Sequence, residues 1–300
     1  MKIIGTGLSG LVGSRIVELL QNIHEFVDLS LDSGVDITDF DQLKSVFDKH
    51  QDAEVVLHLA AFTDVNAAFK QKDDKSGLCY RVNVLGTENL AKLCREADKY
   101  LIHISTDFVF DGKNPPTGGY TEKDIPFPIE WYGQTKLWSE KKVQQLSQNY
   151  IILRLAFPFK AKPSPKKLEP RVKLDLVRKI KDNLEKRKTL SMFTDQIITP
   201  TFIDDVAEII KYVFKNKPQG IYHLVGSRSL SPFDLAQRIA QTFNLDRRLI
   251  KPLLLKEFTK IDLRPRQAKM ILSNKKLVRD FGIKMHTVEE ALQLMKEQLY

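Results

Sequence analysis

Two cysteines in 300 residues leave no material for a disulfide framework or a thiolate metal cluster. Cys79 and Cys94 stand too far apart for metal-ligand spacing and read as buried or idle thiols, and no His, Cys or carboxylate cluster supplies another metal site. Long apolar runs are missing as well: nothing approaches the roughly 18 residues of a membrane-spanning helix. No basic and apolar leader precedes the first apolar run, so a cytoplasmic protein with no membrane partner is expected. There is no internal repeat, low-complexity tract or long linker. Lys and Arg outnumber Asp and Glu by 47 to 38, a net charge of +9, yet aromatic and basic residues do not interleave as on a single-strand platform. No nucleic acid is therefore expected. Much of the basic excess sits in one run, Lys160, Lys162, Lys166, Lys167, Arg171, Lys173, Arg178, Lys179, Lys181, Lys186, Arg187 and Lys188. Pro158, Pro163, Pro165 and Pro170 mark its first part as a loop, and 172–184 reads as an amphipathic helix after it.

What the chain does have is alternation. Apolar runs at 26–31, 55–59, 101–105 and 151–155 alternate with helical patterns at 40–50, 81–97 and 132–148, after a first strand at the N-terminus. This predicts an α/β fold, a Rossmann-like doubly wound parallel sheet, with a smaller C-terminal substrate-binding lobe. The nucleotide-binding domain is expected over 1–157, with returns near 190–215 and 287–300; the lobe is expected mainly over 158–189 and 220–286. Further helices are predicted toward Phe214, from Ser231-Pro232 to Phe243, and over 288–299, the last packing back on the nucleotide domain. Such a sheet binds ligands beyond the carboxyl ends of its strands.

The first strand runs into Gly7-Leu8-Ser9-Gly10-Leu11-Val12-Gly13 and then an apolar helix. Glycines there permit a tight turn and close backbone approach to a pyrophosphate, which the helix N-terminus attracts. Trp131-Tyr132-Gly133-Gln134-Thr135-Lys136 places Tyr132 and Lys136 on one helix face, where a cation favours the phenolate. Alone, such a pair decorates many helices. After the glycine turn, and with Ser105-Thr106-Asp107 ending the fourth strand, it reads as carbonyl-reducing machinery in which Thr106 hydrogen-bonds the carbonyl oxygen and Tyr132 delivers the proton.

Charge around the second strand addresses the cofactor. No Lys or Arg occurs between Arg15 and Lys44, whereas Asp28, Asp32, Asp36, Asp39 and Asp41 do. A carboxylate near that strand's end pairs with the free ribose hydroxyls of NAD and repels the extra phosphate of NADP. Asp32 is the candidate, so NADH is expected over NADPH, with Asp36-Ile37 at the adenine. Arg264-Pro265-Arg266-Gln267 offers guanidinium groups to a phosphate. His58 and His103, within apolar strand runs, read as satisfied core residues.

These segments together resemble the extended short-chain dehydrogenase/reductase family, and within it the dTDP-4-dehydrorhamnose reductases. The resemblance rests on Gly7 to Gly13, Val35-Asp36-Ile37-Thr38-Asp39, His58-Leu59-Ala60-Ala61-Phe62-Thr63-Asp64-Val65 and Val82-Asn83-Val84. It continues through Ser105-Thr106-Asp107-Phe108-Val109-Phe110-Asp111-Gly112, Tyr120 to Pro126, Tyr132 to Lys136, Thr199-Pro200-Thr201, Gly220 to Leu224 and Arg264-Pro265-Arg266. It implies reduction of the 4-keto group of a nucleotide-linked 6-deoxysugar. Gly7, Gly10, Leu11, Val12, Gly13, Ala60, Ala61, Phe62, Thr63, Asn83 and Ile104 would contact the cofactor, with Lys136 on its ribose. Thr106, Asp107 and Phe157 would contact the sugar. Where relatives carry Asn-Ala-Ala-Ala this chain has His58-Leu59-Ala60-Ala61, and where they carry Trp after the fifth strand it has Phe157, departures that leave the sugar open. An epimerase or dehydratase of the same family, and a non-enzymatic cofactor-binding regulatory subunit, are the alternatives. A homodimer is admitted but not required.

Overall fold

The computed structural model describes residues 1–161, 174–260 and 262–300, with the backbone alone at Asp32. The Lys162 to Lys173 part of the basic run therefore lies outside the described residues. In chain order the first elements are β1 (Lys2–Thr6), α1 (Leu11–Leu20), β2 (Glu25–Leu29), α2 (Phe40–Lys49), β3 (Val55–His58), α3 (Val65–Phe69) and α4 (Leu78–Tyr80). A π-helical segment, Arg81–Gly86, runs into α5 (Thr87–Glu96), followed by β4 (Tyr100–Thr106), α6 (Trp131–Leu146), β5 (Tyr150–Leu155) and β6 (Pro158–Phe159). Then come α7 (Leu176–Glu185), β7 (Leu190–Phe193), β8 (Thr201–Phe202), α8 (Ile203–Asn216), β9 (Gly220–Leu224) and α9 (Pro232–Thr242). The chain closes with β10 (Ile250–Leu253), α10 (Leu255–Phe258), α11 (Lys275–Phe281) and α12 (Val288–Leu299).

The main sheet has the order β2-β1-β3-β4-β5-β9, with β1 parallel to both β2 and β3, and β3 parallel to β4. The chain leaves β1 toward β2 and returns across it to β3, so strand order reverses at the gap between β1 and β3. That gap is where an open α/β sheet receives its ligand. Strands β1, β3, β4 and β5 are buried on both faces, as their apolar runs require, while edge strand β2 exposes Glu25 and Asp28. On one face Leu43 and Phe47 of α2 and Leu90, Ala91 and Cys94 of α5 close over Ile4, Val56, Leu101 and Ile152.

Two compact units share the chain. The first holds Met1–Phe110, Pro126–Arg154 and Ala207–Tyr222, and the second Asp111–Ile125, Leu155–Val206 and His223–Tyr300. This division departs from the one expected. The loop Asp111–Ile125 leaves the first unit, and α12 does not return to it. Val288, Leu292 and Met295 of α12 instead join Leu235 and Ile239 of α9 and Ile180 and Leu184 of α7 in the second unit's core. An apolar helix face names no partner in sequence; here the matching faces belong to its own unit. The second unit also contains two short parallel pairs, β6 with β8 and β7 with β10, too brief to leave a periodic signature.

Candidate active site

The glycine turn sits at the strand-order reversal. Gly10 caps α1 without a side-chain hydrogen bond, and the first turn carries no acidic residue, so the Leu11, Val12 and Gly13 end of the helix presents backbone N–H groups and positive dipole. A Cβ on Gly13 would fall 2.6 Å from the Leu8 Cα, which keeps that position glycine and the turn tight. Gly7 takes φ +68° and lies against the Ala60 backbone just beyond β3, bringing the two loops edge to edge. An uncapped helix start beside a crease only glycine can line fits the pyrophosphate of a nicotinamide dinucleotide.

The loop after β3 is held in place by a buried chain of side chains. Ala60 N–H donates to Thr6 Oγ1 at 3.1 Å, Thr6 Oγ1 meets His58 Nδ1 at 2.7 Å, and His58 Nε2 meets Thr87 Oγ1 at 2.9 Å. Thr87 Oγ1 then donates to the Asn83 carbonyl at 2.7 Å. Burial, with Lys136 nearby, pushes His58 down to about 3, so it works as a neutral link. Asn83 was expected at the cofactor; its amide is used within the protein, accepting from Phe62 N–H at 2.8 Å and donating to Thr135 Oγ1 at 2.9 Å. It ties the Phe62 loop to α6. Ala60, Ala61 and Phe62 are half-buried and Thr63 is exposed.

Thr106, Tyr132 and Lys136 come together in the first unit. Thr106 ends β4, where its hydroxyl accepts from Phe108 N–H at 3.3 Å and donates to Asp107 Oδ1 at 3.1 Å. Tyr132 lies in the first turn of α6, its ring edge-on to Phe108 with centroids 5.5 Å apart, in a small cluster with Ala68, Cys79 and Trp131. Lys136, one turn on, donates from Nζ to the Ile104 carbonyl at 2.8 Å and stands 3.4 Å from His103 Nε2. His103 is held neutral by burial, its value well below the usual one.

Burial sets the electrostatics. It raises the Tyr132 phenol, a shift opposed by the hydrogen bond with Thr106 and reinforced by the neighbouring Asp107 and Cys79. The expectation that Lys136 lowers this phenol is not what governs here; desolvation wins and keeps Tyr132 protonated. Burial brings Lys136 down to about 8 against the opposing charge of Glu140, so it remains mostly an ammonium at neutrality. Asp107 is pushed up to about 7, again by burial, and its Oδ2 has no hydrogen-bond partner.

At the far end of the crease, Asp32 lies in the 3₁₀ turn Leu31–Ser33 that follows β2. Ser30 and Ser33 close that turn as a reciprocal cap, and Ser30 Oγ donates to Asp28 Oδ2 at 2.8 Å. Asp36 Oδ1 is occupied by Thr38 N–H and Oγ1 at 2.8 and 2.9 Å, while Ile37 is buried and packs against Gly86. Arg81, absent from the sequence reading, reaches Thr38 Oγ1 at 3.4 Å.

Phe157, Arg264 and Arg266 belong to the second unit. Phe157 adopts φ +42°, left-handed for a bulky residue, with its carbonyl taken by Thr201 N–H at 3.3 Å. The Arg266 guanidinium is already paired with Asp262 and lies 4.9 Å from the Phe258 ring centroid, so it braces its own loop. Arg264 N–H donates to Asp262 Oδ1 at 3.1 Å. In the described part of the basic run, Arg178, Lys181 and Lys186 pair with Asp175, Glu185 and Asp182. Among the described residues no group of His, Cys, Asp and Glu could hold a metal, and no helix is long and apolar enough to cross a membrane.

Comparison with known proteins places this geometry. A family model described as the RmlD substrate binding domain matches residues 1–300. The dTDP-4-dehydrorhamnose reductase of Aggregatibacter actinomycetemcomitans is 29% identical over 304 residues, covering 97% of each chain. A crystal structure of dTDP-4-dehydrorhamnose reductase from Bacillus anthracis in complex with NADP superposes with a TM-score of 0.87 at 26% identity, covering 99% of each chain. Methionine adenosyltransferase 2 subunit beta of Rattus norvegicus is 32% identical over 204 residues, 66% of this chain and 57% of that one.

Proposed function

The chain belongs to the RmlD substrate binding domain family along its whole length, and on that premise we propose that it reduces the 4-keto group of a nucleotide-linked 6-deoxysugar with NAD(P)H. The observation that carries this reading is the meeting of Thr106, Tyr132 and Lys136 at the end of β4, in the unit that also holds the glycine crease. A nicotinamide dinucleotide held with its pyrophosphate at that crease would supply hydride to the keto carbon.

The remaining work falls to side chains. Thr106 donates to the substrate carbonyl oxygen and stabilises the charge that builds on it. Tyr132, kept protonated by burial, gives its phenol proton to that oxygen, and a proton donor is what the reducing direction needs. Lys136, charged at neutrality, binds the cofactor ribose and supports the phenolate left behind. Asp107, buried with an unpaired oxygen, accepts from a sugar hydroxyl.

NADH is the preferred reductant in this proposal. No basic residue occurs between Arg15 and Lys44, so the turn at the end of β2 offers no cation to a 2'-phosphate, although the Bacillus anthracis relative was crystallised with NADP. A regulatory role is the second reading, favoured by the likeness to methionine adenosyltransferase 2 subunit beta. An assay separates the two: purified protein oxidises NADH when given dTDP- or GDP-linked 4-keto-6-deoxysugars, and Tyr132→Phe loses about 10²- to 10⁴-fold in turnover with cofactor affinity kept. Tight cofactor binding without turnover on any such sugar gives the regulatory reading the field.

A further inference from the structure

One turn beyond Lys136, α6 carries a second buried charge that this mechanism has not used. Glu140 is 1% exposed. Its Oε1 accepts from Ser105 Oγ at 2.5 Å and from Arg154 Nε at 2.9 Å, and its Oε2 accepts from Arg154 Nη2 at 2.8 Å. Arg154, from β5, is equally buried and lies 5.1 Å from the Phe110 ring centroid. Ser105 stands between Ile104, whose carbonyl receives Lys136, and Thr106. One carboxylate thus joins α6, β4 and β5 directly behind the reacting groups.

Stability does not explain the arrangement. Desolvating two charges offsets most of their attraction, and apolar residues of similar volume commonly serve as well or better. The position of the charge does explain it. Lys136 is faced by His103 from β4, with His58 of β3 behind it, by Cys79 from α4, and by Tyr132 and Glu140 along α6. Both histidines are neutral, and the buried Cys79 thiol is raised by desolvation, so among these neighbours Glu140 is the anion opposing the loss of charge on Lys136. Arg154 pairs with that carboxylate and fixes its place.

We propose that Glu140, clamped by Arg154 and Ser105 one turn from Lys136 on α6, is a positioning residue that provides the buried anion for Lys136 and fixes Thr106 relative to α6. The proposal rests on the reductase reading for its meaning in turnover; its effect on Lys136 rests on the burial of both residues one turn apart on α6. Glu140→Gln keeps an acceptor for Ser105, removes the anion, and leaves the buried Arg154 guanidinium without its carboxylate. Lys136 then deprotonates at lower pH.

The test compares the full-length protein with Glu140→Gln and with the double variant Glu140→Gln/Arg154→Met, in which no unpaired guanidinium remains. Two pH profiles are measured, kcat/KM for the keto sugar and NADH affinity by fluorescence. The alkaline limb of both moves down by roughly one pH unit or more in Glu140→Gln, and by less in the double variant. A limb that stays at its wild-type pH in every variant that folds overturns the proposal, whatever happens to kcat. If wild type binds NADH without turnover, the reductase reading fails while the affinity profile still decides the role of Glu140.

Discussion

Gly133 lies so close to Phe108 that a Cβ on it would clash with the Phe108 carbonyl oxygen, with Pro128 Cβ 3.1 Å away on another side. The first turn of α6 therefore rides directly on the turn after β4, and this close approach is what carries Tyr132 to Thr106. Gly133→Ala should push α6 off that turn. Overpacking of this kind costs about 1–3 kcal/mol, and a displacement of about 1 Å in a reacting group can cost about 100-fold in rate. The expected result is a lower melting temperature together with a loss in kcat much larger than any change in NADH affinity. Wild-type kcat in a folded Gly133→Ala protein would show that the contact does not set the position of Tyr132.

The buried chain through Thr6 predicts a different balance. In Thr6→Val the Ala60 N–H and the His58 ring each lose a hydrogen-bond partner, at a cost of about 1–3 kcal/mol. Stability and NADH affinity should fall together, because Ala60 borders the crease. Thermal melts and fluorescence titration measure both; unchanged affinity in a destabilised variant would confine the chain to a structural role.

Asp107 ties stability to pH. Its usual value of 3.8 rises to about 7 in the folded protein, so between about pH 4 and 7 the folded state binds a proton that the unfolded chain has released. Its contribution to stability therefore declines as pH rises through that window and is lowest above pH 7. Asp107→Asn cannot ionise, so its melting temperature relative to wild type should climb from pH 5 to about pH 7 and level off above it. A difference that stays flat across that range would mean Asp107 is not buried as described.

The turn after β2 gives the cofactor prediction. Asp32→Arg introduces a cation where the chain has none and should move the ratio of kcat/KM values from NADH toward NADPH. Parallel assays with both reductants check it, and a wild type that already favours NADPH would defeat the assignment of Asp32.

Much of the site could be read from the chain. The glycine turn, Thr106 and the Tyr132–Lys136 spacing depend on short segments whose period and composition state their own geometry, and the structure brings the last three together. Arg154 and Glu140 had a signal that went unread: a charge inside the apolar run 151–155, and a carboxylate four residues after Lys136 on the same helix face. Thr6 and Thr87 had none, since a hydroxyl bonded across 52 or 29 residues looks in sequence like any other. The destination of α12 was hidden for a related reason, because an apolar face fixes that a helix packs but not against what. Arg264 and Arg266 show the opposite limit: a cation pair suggests an anion, and for Arg266 the anion is Asp262.

The π-helical segment Arg81–Gly86 divides one rod into two rotational phases. Ahead of it Cys79 faces Thr135 of α6, and beyond it Thr87 faces His58 while Leu90 enters the core of the sheet. Each residue of a regular helix advances about 100°, so removing any single residue from this stretch would restore ordinary winding and swing one end out of line with its neighbours. The stretch should accept no change in length, which makes its residue count a conserved quantity to look for in homologous chains.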